Sequence, residues 1–395
     1  MAPSSDTSAQ ALLPNGLRDL LPPDAFSLTR ASGRLMAVFA AHGYERVEPP
    51  LIEFEESLFS GAGHSASANS FRVMDPISRR MMGLRQDMTP QVARIAASRL
   101  RDAPRPLRLA YGGTVLRVQG TQLRPDRQTT QVGFELVGQN GTEALGEVVL
   151  VALDALEQLD IGPVTLDLVC PALVPALCEA AGLDPVTAER VREALGQKDL
   201  KAVETLVPAG QAAVFTALAR AMGPVERAVE VLESLALPAQ AAVHRDALLD
   251  MARRVLAFIG SGNVTVDPFE FRGFEYKTGP AFSFFARGAR GELGRGGAYV
   301  NSFGGVNEPC CGVSLYLETL VEITGRSPEC PRILVDPATS LAGRRALQDK
   351  GFVTVTSPGA PLDGDEARRL NCARWLSPEG DIRDASPPPV CGQAS

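Results

Sequence analysis

The sequence predicts an α+β fold in which antiparallel strands are flanked by helices. Three observations carry this. Two long strand-like segments, 107–119 and 128–138, are joined by the polar loop Gly120 to Arg127, and the second alternates apolar and polar residues. Helical periodicity with start and stop signals lies on either side of this pair. A third region, about 172–260, is rich in Ala, Leu, Glu and Arg at helical spacing and reads as a helical insertion.

Taken in order, residues 1–21 read as a flexible leader. Pro22-Pro23-Asp24 starts a helix with Asp24 as N-cap; Leu35, Met36, Val38 and Phe39 form its apolar stripe and Gly43 stops it. A short strand begins at Tyr44 to Val47, and Pro49-Pro50 interrupts it. Thr89-Pro90 opens a helix running to about Leu100, with Thr89 able to cap and Pro90 at the first helical position. After the strand pair, residues 142–159 carry Leu145, Val148, Val149, Ala152 and Leu156 on one helical stripe. Strand-like sequence returns at 264–271, 282–286 and 311–315, followed by a last core helix at 317–324. The glycines of 293–299 read as a tight strand connection rather than a phosphate loop. The core is thus expected over 22–330. Residues 331–395 form a short C-terminal α/β unit whose tail beyond Ala385 is disordered.

Bulk properties narrow the function. With 39 Lys and Arg against 46 Asp and Glu, the net charge of −7 argues against a dedicated nucleic-acid binder. No stretch of 18 apolar residues exists, and the N-terminus lacks the basic-then-apolar pattern of a secretory signal. The seven cysteines are odd in number and show no C-x-x-C spacing, which suits reduced thiols in a cytoplasmic protein. Three scattered histidines, His42, His64 and His244, do not form a metal or catalytic cluster in the sequence.

The segment 128–138 is the most informative. Alternation places Val132, Phe134 and Leu136 on a core face, and Thr129, Gln131, Gly133, Glu135 and Val137 on the other. Gln131 and Glu135 therefore point the same way, about 13 Å apart along the strand, with Gly133 leaving room between them. The alternative is an ordinary solvent-facing polar face. Arg117, flanked by Leu116 and Val118, needs an anionic partner or a route to water, and antiparallel pairing could bring it near Glu135. A structural salt bridge is the alternative there. In LRQDMT (84–89), Asp87 precedes a helix N-terminus, where the dipole favours a carboxylate.

These segments together resemble histidyl-tRNA synthetase. LRQDMT looks like its sextet with an acid and a threonine, and the stretch Gly112 to Glu135 like the class II motif 2 hairpin that follows; FRGFEYKTG (271–279) looks like its histidine-recognition segment; GYERVEPPLIE (43–53) is similar to motif 1, whose proline lies at the dimer interface of that fold. The similarity covers about 14–325. It implies a class II aminoacyl-tRNA-synthetase-like core and a histidine site at Asp87, Thr89, Gln131, Glu135, Arg272 and Tyr276, with Arg117 added as a second partner for the ligand carboxylate. Asp87 and Thr89 would accept from the ligand ammonium, Gln131 would bond polar groups on either side, Glu135 and Tyr276 would meet the imidazole, and Arg117 and Arg272 would pair the carboxylate.

Departures from the synthetase pattern bear on activity. Asp87 stands where the synthetase usually has Glu, and Lys277 where it usually has a second Tyr. Gln119 replaces the motif 2 Glu that helps hold adenine, and Thr319 replaces the motif 3 Arg that clamps the γ-phosphate. Residues 331–395 are few for an anticodon-binding domain and carry eight Lys/Arg against eight Asp/Glu. A histidine pocket without ATP or tRNA handling is similar to the regulatory subunit family of ATP phosphoribosyltransferase. That resemblance implies a non-catalytic chain with no cofactor or metal, contacting neither nucleic acid nor membrane. Its partner is the short-form catalytic subunit, its effector is histidine, and its assembly is a hetero-octamer built on homodimers. The role implied is allosteric feedback regulation of the first step of histidine biosynthesis. An active, divergent synthetase and a histidine-binding module with another partner are the alternatives.

Overall fold

The computed structural model describes residues 12–60, 70–120, 125–271, 273, 276–305, 307–325, 330–359 and 361–385. The chain divides into two units, Met1–Arg326 and Ser327–Ser395.

The first unit is organised by a nine-stranded sheet. Helix α1 (Asp24–Ala41) precedes the two-residue strand β1 (Glu45–Arg46). Pro23, not Asp24, occupies the cap position, so the expected Asp24 side-chain cap is not made; Asp24 instead puts its charge in the first turn, where the dipole still favours it. Gly43 adopts a φ of 82°, the left-handed stop expected of it. A separate three-stranded sheet contains β2 (Ile52–Phe54), β3 (Arg72–Met74) and β4 (Met81–Leu84), with the short α2 (Glu55–Leu58) after β2. Helix α3 (Thr89–Ser98) leads to the hairpin of β5 (Leu107–Leu116) and β6 (Gln128–Val137), and α4 (Thr142–Gln158) follows. Strand β5 ends at Leu116, three residues before the expected end at Gln119.

Next come β7 (Val164–Val169) and six helices: α5 (Leu173–Ala180), α6 (Pro185–Gly196), α7 (Leu200–Leu206), α8 (Ala212–Arg220), α9 (Val225–Ser234) and α10 (Ala239–Leu256), with the two-residue β8 (Gly223–Pro224) among them. Strand β9 (Val264–Asp267) then returns parallel to β7. Parallel neighbours require a long crossover, and the helical region supplies it. Its buried residues, among them Leu173, Val191, Leu218, Leu248 and Val255, belong to the same core as Phe134 and Leu156. The sheet is completed by β10 (Lys277–Ala286), β11 (Gly294–Asn301) and β12 (Glu308–Tyr316), and α11 (Leu317–Thr324) follows β12 directly.

Strand order is β1-β5-β6-β12-β11-β10-β7-β9-β8. From β5 to β7 every pair is antiparallel; β1 with β5, and β7 with β9, are parallel. The sheet is therefore mixed, with an antiparallel centre. The glycine-rich stretch expected to be a connection is instead the central strand β11. Gly294 and Gly296 let it pack against the backbone of β12, where any Cβ would overlap a carbonyl oxygen.

The two faces of the sheet differ. Val132, Phe134 and Leu136 pack against α1 and α4 in the main core, where Phe39 meets Phe134 edge-on at 4.7 Å. The opposite face carries a smaller cluster with Met88, Val92 and Ala96 of the α3 segment against Leu109, Tyr111, Val137 and Tyr299. The candidate site lies on this second face.

The second unit has its own four-stranded sheet, ordered β14 (Val353–Thr356), β13 (Arg332–Val335), β15 (Arg374–Leu376), β16 (Ile382–Asp384), with α12 (Leu341–Asp349) and α13 (Gly364–Arg369). Ile333, Val335 and Leu347 pack on one side, Leu334, Ala367 and Cys372 on the other. The disorder expected beyond Ala385 falls outside the described residues.

Candidate functional site

Strand register builds the site. Gln131 pairs with Gly113 on one side and Tyr316 on the other; Gly133 with Tyr111 and Ser314; Glu135 with Leu109 and Gly312. Strand β11 extends these rows with Arg295 beside Ser314 and Gly297 beside Gly312. Because paired residues in a sheet share a face, all of these side chains project toward α3.

Two glycines shape the floor. A Cβ at Gly312 would overlap the Glu135 carboxylate, so the glycine makes the space in which that carboxylate lies. A Cβ at Gly133 would come within 2.7 Å of the Tyr111 hydroxyl. The room expected above Gly133 is therefore filled by the protein's own phenol.

Two hydrogen-bond clusters face each other. Glu135 is buried and accepts from Thr89 Oγ1 at 2.8 Å, Tyr111 OH at 3.2 Å and Tyr299 OH at 3.1 Å. Asp87 accepts from Gln131 Nε2 at 2.7 Å, Tyr276 OH at 3.3 Å and the Thr89 amide at 3.1 Å. Gln131 links them: its Oε1 accepts from the Met88 amide at 2.8 Å, and its Nε2 also approaches Ser314 Oγ at 2.6 Å, which in turn lies 2.9 Å from Tyr111 OH. Buried polar groups are tolerable when so fully paired.

Burial pushes the Glu135 carboxyl up to about 7, against the opposing field of Lys277 and the donated bonds of Thr89 and Tyr299. Burial likewise raises the hydroxyls of Tyr111, Tyr276 and Tyr299, with Glu135 and, for the first two, Asp87 adding to the effect. Lys277 is pulled down by burial and held up by Glu135 and Asp87.

The sequence-predicted residues Asp87, Thr89, Arg117, Gln131, Glu135 and Tyr276 all line one cavity of about 480 Å³; Arg272 lies outside the described residues. The volume suits a small polar metabolite. Several expectations are corrected. Gln131 and Glu135 are buried at 5% and 1% exposure, so theirs is not a solvent-facing surface. Thr89 caps nothing, because its hydroxyl is committed to Glu135. In the chain itself, Thr89 bonds Glu135 and Tyr276 bonds Asp87. Arg117 does not face Glu135: its backbone pairs with Arg127, and Glu135 sits opposite Leu109. Its side chain has no hydrogen-bonded or ionic partner among the described residues, and the residue lines the same cavity. Gln119 is exposed beyond the end of β5.

Tyr111, Ser314, Tyr299 and the Glu292–Arg295 pair were not singled out from the sequence, since only register reveals them. Another such residue is Arg85. It is buried beneath the site and donates to Thr114 O at 2.7 Å and Pro49 O at 2.8 Å, tying the LRQDMT segment to β5 and to the Pro-Pro turn. Among the described residues no group of acidic, His and Cys side chains is arranged to hold a metal, and no helix is long and apolar enough to cross a membrane.

A histidyl-tRNA synthetase family model matches residues 16–320, and the architecture agrees with it. A solved structure described as an ATP phosphoribosyltransferase regulatory subunit/histidyl-tRNA synthetase from Bacillus halodurans superposes with a TM-score of 0.78 at 22% identity, covering 92% of this chain and 96% of that one. The fold is thus that of the histidyl-tRNA-synthetase-like class II proteins. Within that class, the chain is 54% identical to the ATP phosphoribosyltransferase regulatory subunit of Rhodospirillum rubrum over 96% of its length and 99% of the relative's. It is 50% identical to that of Rhodospirillum centenum, over 92% and 94%. The chain belongs to the family of ATP phosphoribosyltransferase regulatory subunits.

Proposed function

We propose that this chain binds free histidine in the cavity over β6 and β12 and transmits its presence to a short-form ATP phosphoribosyltransferase catalytic subunit, without activating histidine itself. The observation that carries this reading is the pair of hydrogen-bonded carboxylates in one cavity. Asp87 suits an ammonium. Glu135 suits an imidazole N–H, for which a carboxylate fixes the tautomer. Arg117, partnerless among the described residues, suits the ligand carboxylate, as does Arg272 on the sequence argument. Thr89, Gln131 and Tyr276 hold the two acids in place. In this reading the chain is a homodimer within a cytoplasmic hetero-octamer and needs no cofactor. Aminoacylation is not expected, because Thr319 cannot grip a γ-phosphate as an arginine would.

Inhibition requires that histidine prefer one state of the complex, and a coupling of ~1–3 kcal/mol corresponds to a 5- to 150-fold effect. Calorimetry tests the site directly. Histidine should give saturable binding to the wild-type chain, and Glu135→Ala should weaken it at least about a hundredfold, the cost expected for losing a buried charge-assisted partner. In the reconstituted complex the same substitution should abolish inhibition by histidine. Unaltered binding in Glu135→Ala, or ATP–pyrophosphate exchange driven by histidine, would count against the reading.

A further inference from the structure

Lys277 enters the cavity at the first residue of β10, next to a register irregularity between Lys277 and Ala281. Its ammonium donates to Gly297 O at 3.1 Å and lies 4.8 Å from the centre of the Tyr276 ring and 4.7 Å from that of Tyr299. Those two rings meet edge-on at 5.8 Å, and their hydroxyls bond Asp87 and Glu135 respectively. The cation therefore sits between two phenols that each hold one of the site's carboxylates. Gly297 O is its one hydrogen-bond acceptor among the described residues, although an ammonium has three donors.

The charges lining the cavity are Asp87, Glu135 and Glu292 on one side of the balance and Arg117, Lys277 and Arg295 on the other. Glu292 and Arg295 pair with each other. What remains offers one acid to a ligand ammonium and one base to a ligand carboxylate, with Glu135 and Lys277 sharing Tyr299, whose hydroxyl bonds the carboxylate and whose ring lies against the ammonium. We propose that Lys277 is the internal counter-ion of Glu135 and makes this pocket select an amino acid whose side-chain ring is uncharged. A ligand with a cationic ring would bring a second positive charge beside the buried ammonium, where like charges are weakly screened. A neutral imidazole can donate its N–H to Glu135 without that penalty. Other titratable groups around Lys277 are Asp87, whose charge also holds the ammonium up, Cys310 and Cys311 on β12, and Tyr276 and Tyr299. Burial raises the two thiols and the two phenols, so they stay neutral across the physiological range, and Asp87 is the acid left for the ligand ammonium. Glu135 protonates at about 7, so the neutral-ring complex also weakens as the acceptor is lost on acidification.

This inference rests on the histidine reading above, and its test separates the two. Histidine labelled with ¹⁵N in the ring is titrated into the wild-type chain between pH 5.5 and 8, with ring protonation read by NMR and affinity by calorimetry. The bound ring should stay neutral at least one pH unit below the free value of about 6.5, and below that value affinity should fall by more than about tenfold per unit, because the ring and Glu135 both lose a proton on binding. In Lys277→Met and Lys277→Tyr the bound ring should become cationic at pH 6, and the acid loss of affinity should flatten. A cationic ring in the wild-type complex at pH 7 overturns the proposal, as does one shared pH profile for wild type and both variants. If thermal denaturation shows the variants unfolded, the wild-type ring signal decides alone. Absence of histidine binding to the wild type at every pH removes the histidine reading, and this proposal with it.

Discussion

On one side of Arg117 and Tyr316 lies the polar pocket over β6 and β12; on the other is a second cavity of about 560 Å³, lined by Arg18, Asp126, Arg290, Glu318, Thr319 and Glu322 among others. Both use the same strands. In the first, carboxylates, phenols and an amide are buried and mutually bonded. In the second, arginines are spent on exposed ion pairs, Arg18 with Asp126 at 3.3 Å and Arg290 with Glu322 at 3.1 Å. One Glu318 oxygen accepts from the Thr130 amide at 2.7 Å, while the other is buried with no partner among the described residues. Thr319, in the first turn of α11, is buried and uncharged. The first region is organised in advance around a polar ligand. In the second, two of the three lining arginines are paired with acids, which weakens its field toward a polyanion, while Arg117 borders both cavities.

The contrast yields graded expectations. The largest effect belongs to Gly312→Ala. The added methyl must displace the Glu135 carboxylate inside a packed sheet, so we expect destabilisation near the upper end of ~1–3 kcal/mol together with loss of histidine binding, read by thermal denaturation and calorimetry. Retained binding would mean that Glu135 is not the anchor. Next, Gln131→Ala strands the buried Met88 amide and should cost about 1–3 kcal/mol of stability. A loss as small as that of a surface substitution would show the polar network to be dispensable.

In the second cavity the signs change. Burial raises the Glu318 carboxyl, so its protonated form is favoured in the folded chain. Its contribution to stability is complete below the ordinary glutamate range and is lost as pH rises through the folded value. Glu318→Gln should therefore gain stability relative to wild type between pH 4 and pH 8, as followed by melting temperature at both pH values. A gain that shrinks toward pH 8 would reverse the assignment. Smallest of all, Arg290→Ala should change stability by no more than ~1 kcal/mol, since its ion pair is exposed. A comparable loss to that of Gln131→Ala would erase the distinction between the two regions.

Much of the architecture could be read from local pattern. The alternation at 128–138 identified the core face of β6, and the stripe at 142–159 identified the buried face of α4, because both depend only on the periodicity of a single element. The glycine stretch 293–299 misled for a related reason. Glycine loosens a strand in isolation, and only the close approach of β12 makes it obligatory inside one. Arg117 was drawn toward Glu135 because strand pairing was assumed without register, and the observed register separates them along the hairpin.

Local pattern along the chain suffices for which residues carry polar chemistry, for the α+β class, and for the face of β6 on which Gln131 and Glu135 stand, since side-chain direction follows from backbone period alone. Which groups touch depends on the assembled fold. It gave Thr89 to Glu135 and Tyr276 to Asp87, filled the space over Gly133 with Tyr111, opened the space for Glu135 at Gly312, and set Lys277 between two tyrosines. Those contacts join segments up to 189 positions apart, as Asp87 and Tyr276 are. Their geometry is fixed by strand order and register, which no single segment contains.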